Sequence, residues 1–177
     1  TDDYGDSVLF DATGPGCVHS MWSTNIPPDH VLLLYFDGES TPRYEIPSLQ
    51  FYKGEHPLFP PPLNSYKKVG YYGENPFSGN SFTPIPFARS IKISVRGERC
   101  FHHILYEQYP HGTPVDTFNG QENHSALLRA FSDGGEAFCP PELDTVVSEF
   151  SETGPREELI LLDRGEPGTI RRITIEA

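Results

Sequence analysis

The sequence has few cysteines, and this scarcity limits the covalent frameworks open to it. Only three occur in 177 residues, at Cys17, Cys100 and Cys139. An odd number permits at most one internal disulfide, and their wide spacing matches no zinc-binding pattern. We interpret the three side chains as buried thiols, with one disulfide as the alternative.

Basic residues and long apolar runs are also scarce. The chain has 13 Lys and Arg against 25 Asp and Glu, which gives a formal charge of −12. A surface of this sign repels phosphate backbones, and the pairs Lys67-Lys68 and Arg171-Arg172 are isolated. No apolar run approaches the roughly 20 residues that cross a bilayer. We therefore predict no nucleic-acid partner and no membrane insertion.

Uninterrupted segments are short because 18 Pro and 16 Gly divide the chain. Such frequent interruption excludes long helices. The 12 Phe and 9 Tyr supply the large apolar side chains that are typical of sheets. This composition predicts an all-β protein.

The most informative stretch begins at residue 31. Residues 31–36 form an apolar run of strand length, and Asp37-Gly38 follows as a turn dipeptide, so a returning strand is expected through 43–46. Residues 90–96 alternate clearly between apolar and polar side chains. This alternation predicts that Ile91, Ile93 and Val95 point inward and that Lys92, Ser94 and Arg96 point outward.

The remaining elements are shorter. Further strands are predicted over residues 7–11, 66–72, 101–109, 145–150, 159–163 and 169–175. One helical turn is predicted over 48–52, a long loop over 53–63 and a turn over 73–80. A short helix capped by Asn123 is predicted to follow, with apolar residues at Ala126, Leu127, Leu128 and Phe131.

Residues 17–23 alternate without one clearly apolar side. Simple alternation places Cys17, His19 and Met21 on one face and Val18, Ser20 and Trp22 on the other. We therefore expect both faces of this segment to be covered.

A weak internal repeat divides the chain. Residues 8–11 correspond to residues 160–163, and Pro15-Gly16 to Pro167-Gly168. We interpret this as a duplicated unit, although strand, turn and strand can also arise independently. The first unit would span 1–157, and a second would begin over 158–177. Ending at Ala177, inside a predicted strand, would leave backbone groups that need a partner.

Histidines and one carboxylate near residue 105 suggest a metal site, but their spacing argues against it. The candidates are His102, His103, Glu107 and His111. Adjacent His102 and His103 point to opposite faces of a strand, so only one can join Glu107. We favour core or interface histidines and predict no metal and no cofactor.

Glycoside hydrolysis needs two carboxyl groups, and flat aromatic side chains often contact sugars. The available carboxylates are Asp37, Glu39, Glu45, Glu107 and Glu136. Asp37 can be a turn residue that bonds its own backbone or a ligand contact, and Glu45 and Glu107 are expected to be solvated or ion-paired. The candidate aromatic contacts are Trp22, Tyr44, Tyr52, Phe82 and Phe87, for which core packing is the alternative.

Five segments, taken in order, resemble glycoside hydrolase family 172, once catalogued as a domain of unknown function. They read GPGCVHSMW over 14–22, LYFDGESTP over 34–42, IP over 46–47, SFTPIPFARS over 81–90 and FHHILYE over 101–107. The resemblance implies a double jelly roll, often trimeric or hexameric, that acts with retention on furanosides such as α-D-fructofuranosides or D-arabinofuranosides. The family's two catalytic glutamates lie in Gly-Glu-Gly and Gly-Thr-Glu-Asp motifs of the later jelly roll. Neither motif occurs in these 177 residues, so we assign no catalytic residue.

On this resemblance, residues 1–157 would form a jelly-roll β-sandwich, the first half of a double jelly roll, and 158–177 the opening strands of the second. We expect part of a secreted retaining furanosidase, with a furanoside, a second jelly-roll segment or chain, and further copies in a trimer or hexamer as partners. The sequon Asn123-His124-Ser125 fits export. The alternative is a non-catalytic carbohydrate-binding or capsid- or filament-like subunit. The residues expected near the sugar are Trp22, Asp37, Asn80, Phe82 and Phe87.

Overall fold

The structure is a computed structural model that describes residues 6–68, 77–97 and 100–132. These residues form nine strands and two short helices. The strands are β1 (Ser7–Thr13), β2 (Gly16–Ile26), β3 (Val31–Phe36), β4 (Tyr44–Pro47), β5 (Asn64–Lys68), β6 (Phe77–Ser81), β7 (Ile85–Phe87), β8 (Ser90–Arg96) and β9 (Phe101–Gln108). The helices are α1 (Ser48–Lys53) and α2 (Ser125–Ser132).

The strands form two antiparallel sheets. The four-stranded sheet has the order β1-β8-β3-β4. In the five-stranded sheet, β5 pairs with β6, and β6 and β7 pair with successive parts of β2. β9 also pairs with β2, along residues Gly16 to Thr24. The predicted all-β sandwich is confirmed.

The core lies between the sheets and is rich in aromatic rings. Phe118, which lies outside the strands, stacks on Phe36 with ring centroids 6.2 Å apart and on Phe59 at 5.6 Å. Phe59 also contacts Phe51 of α1 at 4.6 Å. Each ring is fully buried, so the proline-rich segment after α1 is packed into the core through the side chain of Phe59.

The predicted strand and turn after residue 31 are confirmed. Asp37 and Gly38 both have positive φ, 53° and 84°, and the N–H of Glu39 donates to the carbonyl of Phe36 over 2.9 Å. Gly and Asp are among the residues that tolerate this left-handed conformation best. The returning strand, β4, starts one residue later than predicted.

β8 matches its predicted bounds, and Ile91, Ile93 and Val95 are fully buried as expected. The prediction that Ser94 points outward to solvent is wrong, because Ser94 is completely buried. It lies in a central strand directly opposite buried Leu33 of β3. A strand with a neighbour on each side can be covered on both faces, and alternation alone does not reveal this.

The predicted faces of β2 are wrong because a β-bulge interrupts the alternation. The pairing with β9 shifts register between Val18 and Ser20, which leaves His19 as the extra residue. Val18 and Met21 therefore share the buried side, although they are three residues apart. A bulge of this kind turns every following side chain to the opposite face.

The predicted turn over residues 73–80 is wrong from Phe77 onward, where β6 forms. Gly79 points inward, and a Cβ at this position would overlap the ring of Tyr52. Gly79 is therefore needed for close packing within a strand and does not form a turn. Local sequence rules read Gly, Asn and Ser as turn residues because they do not include this tertiary contact.

Three other local predictions agree closely with the structure: β1 is two residues longer than expected, β9 ends one residue earlier, and the helical turn becomes α1. β5 begins two residues before the strand predicted over 66–72, and residues 69–72 lie outside the described part of the chain. α2 follows Asn123, whose Oδ1 accepts the N–H of Ser125 at 3.0 Å. Within the described residues, neither helix is long and apolar enough to span a membrane.

Cys17 and Cys100 are both buried, as the first interpretation of the cysteines expects. Burial raises the pKa of the Cys17 thiol to about 11. Cys139, the predicted strands after residue 133, the second copy of the repeat and the boundary at 157 lie outside the described residues.

Candidate functional site

The outer face of the five-stranded sheet carries a row of side chains from four strands. Asn80 of β6 lies opposite Ser65 of β5 on one side and Trp22 of β2 on the other. Trp22 in turn lies opposite His103 of β9. Neighbouring strands are about 4.8 Å apart, so these four residues, the Trp22 row, span about 14 Å.

Trp22 faces outward because its neighbours Met21 and Ser23 are turned into the core. Ser23 Oγ lies 2.8 Å from the hydroxyl of buried Tyr52, and burial raises the pKa of that hydroxyl. Met21 is also buried, whereas Trp22 is 39% exposed. The bulge at His19 thus positions the indole at the surface.

Phe82 lies near this row. It follows β6 two residues after Asn80, and the neighbours Ser81 and Thr83 are buried, so Phe82 lies on the outer side of the sheet. Its ring is partly exposed and contacts Phe131 of α2 with centroids 5.3 Å apart. The structure therefore brings together three of the five residues expected near the sugar: Trp22, Asn80 and Phe82.

Asp37 lies elsewhere, at the end of β3 in the four-stranded sheet. Its Oδ1 accepts the N–H groups of Arg89 at 2.7 Å and Ser90 at 3.2 Å, and its Oδ2 accepts the hydroxyl of Thr117 at 2.5 Å. Desolvation tends to raise the pKa of Asp37, but these hydrogen bonds and the Arg89 charge outweigh it and lower the pKa. The carboxylate thus connects the turn after β3 to the start of β8 and to Thr117, all of them distant in the chain, and does not bond its own backbone.

Phe87 is a fully buried residue of β7. A Cβ on Gly14 or Gly16 would lie 2.7 Å from its ring, so both glycines are needed for the ring to pack. The side chain of Phe87 therefore belongs to the core of the sandwich and does not reach the outer face.

Three other candidate carboxylates have basic neighbours. Glu39 Oε1 accepts two hydrogen bonds from Arg43, at 2.6 and 2.8 Å. Glu45 accepts one from Arg96 at 3.0 Å, and Glu107 Oε2 lies 3.3 Å from His19 Nε2. Of the two carboxylates expected to be solvated or ion-paired, Glu45 is ion-paired, and Glu107 contacts an imidazole and stays largely exposed. Glu136 lies outside the described residues.

The adjacent histidines considered for a metal site lie on opposite faces of β9. His102 points inward, with Nε2 3.1 Å from the carbonyl of Leu9 in the opposite sheet, whereas His103 faces outward. In the parts of the chain that the structure describes, no three His, Cys, Asp or Glu side chains are grouped to hold a metal ion. His102 instead connects β9 to β1.

An open cavity of about 290 Å³ lies between the proline-rich segment and the start of α2. Both carboxylate oxygens of Glu122 in its wall accept backbone N–H groups, from Asn119 at 2.8 Å and Gly120 at 2.9 Å. Because this carboxylate is already occupied by the backbone, the Trp22 row is the better candidate.

Sequence reasoning missed His103 as a surface residue beside Trp22, and it missed Ser65 altogether. Their signal lies in the register of β2 against β9 and of β5 against β6. Register between strands that are far apart in the chain cannot be obtained from one sequence.

The family model described as "GH172 first beta-sandwich domain" matches residues 1–126 of the 177. No curated protein matches the chain. The matched region includes both sheets, from β1 to β9, and the residues of the Trp22 row. This chain therefore belongs to the family of GH172 first β-sandwich domains.

Proposed function

We propose that this domain is the N-terminal sandwich of a secreted retaining glycoside hydrolase that acts on furanosides of the α-D-fructofuranoside or D-arabinofuranoside type. Its share of the task is to form part of the sugar pocket with the Trp22 row and to contact other subunits. The observation that carries this proposal is the exposed indole of Trp22 between Asn80 and His103, within a family of glycoside hydrolase domains.

The chemistry of the Trp22 row suits a sugar. An indole offers a flat apolar surface on which the C–H groups of a sugar ring can pack. The amide of Asn80 can both donate and accept hydrogen bonds, and the imidazole of His103 can do one or both according to its protonation. Stacking would fix the plane of the ring, and the flanking polar groups would select its hydroxyls.

Catalysis would come from elsewhere in the enzyme. A retaining glycosidase holds its two carboxyl groups about 5 to 5.5 Å apart. Glu39, Glu45 and Glu107 each pair with a basic residue, and Asp37 accepts three hydrogen bonds. These contacts favour structural roles for the four carboxylates. The domain would bind the sugar, and a second jelly-roll segment would complete the catalytic centre.

The test is hydrolysis of fructofuranosides and arabinofuranosides by the complete assembly. Trp22→Ala should raise KM by about 5- to 10-fold, the loss of one stacking contact, while kcat stays within about 2-fold. Tyr66→Ala is the matched control, since Tyr66 is an exposed aromatic residue on β5 outside the row. An assembly inactive on both furanosides, or equal KM changes in the two variants, would refute the proposal.

Secretion has its own test. Asn123 is exposed, as a glycan acceptor must be. Chain exported through a eukaryotic secretory pathway should lose mass on endoglycosidase treatment, and Asn123→Gln should abolish that loss. An unchanged mass on treatment would remove this support for export.

The second candidate is a non-catalytic subunit that binds carbohydrate or builds an assembly. The exposed apolar side chains of β9 favour it, because such side chains are typical of contact surfaces. Furanoside binding that depends on Trp22, without hydrolysis by the complete assembly, would establish this alternative.

A further inference from the structure

β9 is an edge strand with an unusually apolar surface. It pairs with β2 along one side, and no other described strand pairs with it. Phe101 is 69% exposed, Leu105 52% and Tyr106 45%. An open edge of this kind presents unpaired backbone groups next to apolar side chains, which makes it suited to pairing with another strand.

The other sheet edges carry features that discourage such pairing. β5 ends in exposed Lys67 and Lys68, and β4 has only four residues and ends in Pro47. β1 contains a bulge near Leu9 and an exposed Asp11. β9 has no Lys, Arg, Pro or Gly, and the bulge in its ladder lies on β2. Within the described sheets, β9 is therefore the edge least protected against strand addition.

The outward residues of β9 are complementary to themselves when the strand is reversed. Around Leu105 as the centre, His103 of one strand comes opposite Glu107 of an antiparallel copy, and Leu105 comes opposite Leu105. On the other face, Ile104 comes opposite Tyr106. The reversed pairing thus matches an imidazole with a carboxylate at two places and apolar or aromatic side chains at the three central positions, 104 to 106.

We propose that two copies of this chain associate through antiparallel pairing of their β9 strands, with a two-fold axis at Leu105. The axis is perpendicular to the sheet, so the outward residues of both copies stay on one side. The two five-stranded sheets then form one continuous sheet with the two β9 strands at its centre. Glu107 is available for this contact because 62% of its side chain is exposed even beside His19.

Cysteine cross-linking tests the register directly. In a Cys139→Ser background, Leu105→Cys places the two new side chains opposite each other, with Cβ atoms about 4.5 to 5.5 Å apart. Phe101→Cys is the matched control, because the register separates the two copies of residue 101 by about 27 Å. We expect mild oxidation or a short bis-maleimide to link most of the Leu105→Cys chains and few of the Phe101→Cys chains.

Charge substitutions test the complementarity separately. Glu107→Arg opposes His103 with a cation, and His103→Glu opposes Glu107 with a like charge, so each should weaken the dimer about 10-fold. The double variant restores opposite charges and should recover most of the affinity. The molar mass measured by light scattering over a dilution series gives these affinities, and circular dichroism checks that each variant is folded.

Three results would overturn the proposal. The first is a monomeric mass for the folded wild-type chain at every concentration of the dilution series, including its solubility limit. The second is equal cross-linking at residues 101 and 105. The third is a dimer affinity of the double variant below that of either single variant. None of these measurements depends on hydrolysis, so they leave the proposed function to its own test.

Discussion

β2 divides its sheet into two unlike halves. On one side, β5, β6 and β7 are attached by buried side chains: Asn64 donates to the carbonyl of Phe51 at 2.8 Å and accepts the hydroxyls of Ser81 and Thr83, each at 2.9 Å. On the other side, β9 is attached by its ladder to β2, by Ile104, by the contact of Tyr106 with Phe10 at 4.8 Å and by His102, whose Nε2 lies 3.1 Å from the carbonyl of Leu9. Among the described residues, the first half is fixed by buried side chains and is called the closed half, whereas the second ends in the open edge of β9 with its exposed apolar side chains.

With the proposed pairing of β9, one sheet would serve stability and association at once. A buried amide with all of its partners satisfied fixes the register of the strands around it. An exposed apolar edge adds little to the stability of the monomer and leaves surface for a partner. The following substitutions test this division, from the largest expected effect on stability to the smallest.

Gly79→Ala should be the most damaging change in the closed half. The added methyl group would overlap the ring of Tyr52, which is buried and cannot move freely. We expect a loss of about 3 kcal/mol in the free energy of unfolding, measured by urea denaturation. Gly38→Ala is the control, since it meets no atom within 4 Å and should cost only about 1 kcal/mol through its positive φ. Equal losses would show that Tyr52 does not constrain β6.

Asn64→Ala should cost roughly 2 kcal/mol, because it leaves one buried carbonyl and two buried hydroxyl groups without their partner. The same measurement on Asn80→Ala, on the outer face of the neighbouring strand, should show a loss below about 0.5 kcal/mol. A small effect at Asn64 would contradict the view that this amide attaches β5 and β6.

Asp37→Asn tests how the connection between β7 and β8 is held. The pKa of folded Asp37 lies below its unfolded value of about 4, so the carboxylate contributes stability above that pH which is lost as pH falls through the folded pKa. We expect the variant to be about 1 to 2 kcal/mol less stable than the wild type at pH 7, with the difference shrinking as pH falls through the folded pKa of Asp37. A difference that does not change with pH would show that the charge is not responsible.

Leu105→Ala should have the smallest effect on the monomer, about 0.5 kcal/mol, because half of the side chain is already exposed. Ile104→Ala on the inner side of the same strand is the comparison and should cost at least twice as much. Urea denaturation at concentrations where the chain is monomeric measures both. If Leu105→Ala were the more damaging of the two, the open edge would have to be regarded as part of the core.

Most strands could be predicted from the sequence because their signals are local. The alternation of β8, the apolar run of β3 and the Asp37-Gly38 turn each depend on residues that are neighbours in the chain. The candidate site was predicted only in part. Trp22, Asn80 and Phe82 lie on one side of the sheet, whereas Asp37 bonds to distant backbone and Phe87 is buried.

The sequence by itself determined an all-β chain with its principal strands and turns, since side-chain alternation and the φ preference of Gly act over a few residues. Only the tertiary structure decided that β6 is a strand, that a bulge turns Trp22 outward and that His103 lies beside it. The physical reason is that these features depend on register and close packing. A bulge at His19 or the ring of Tyr52 over Gly79 takes effect only when distant segments are paired.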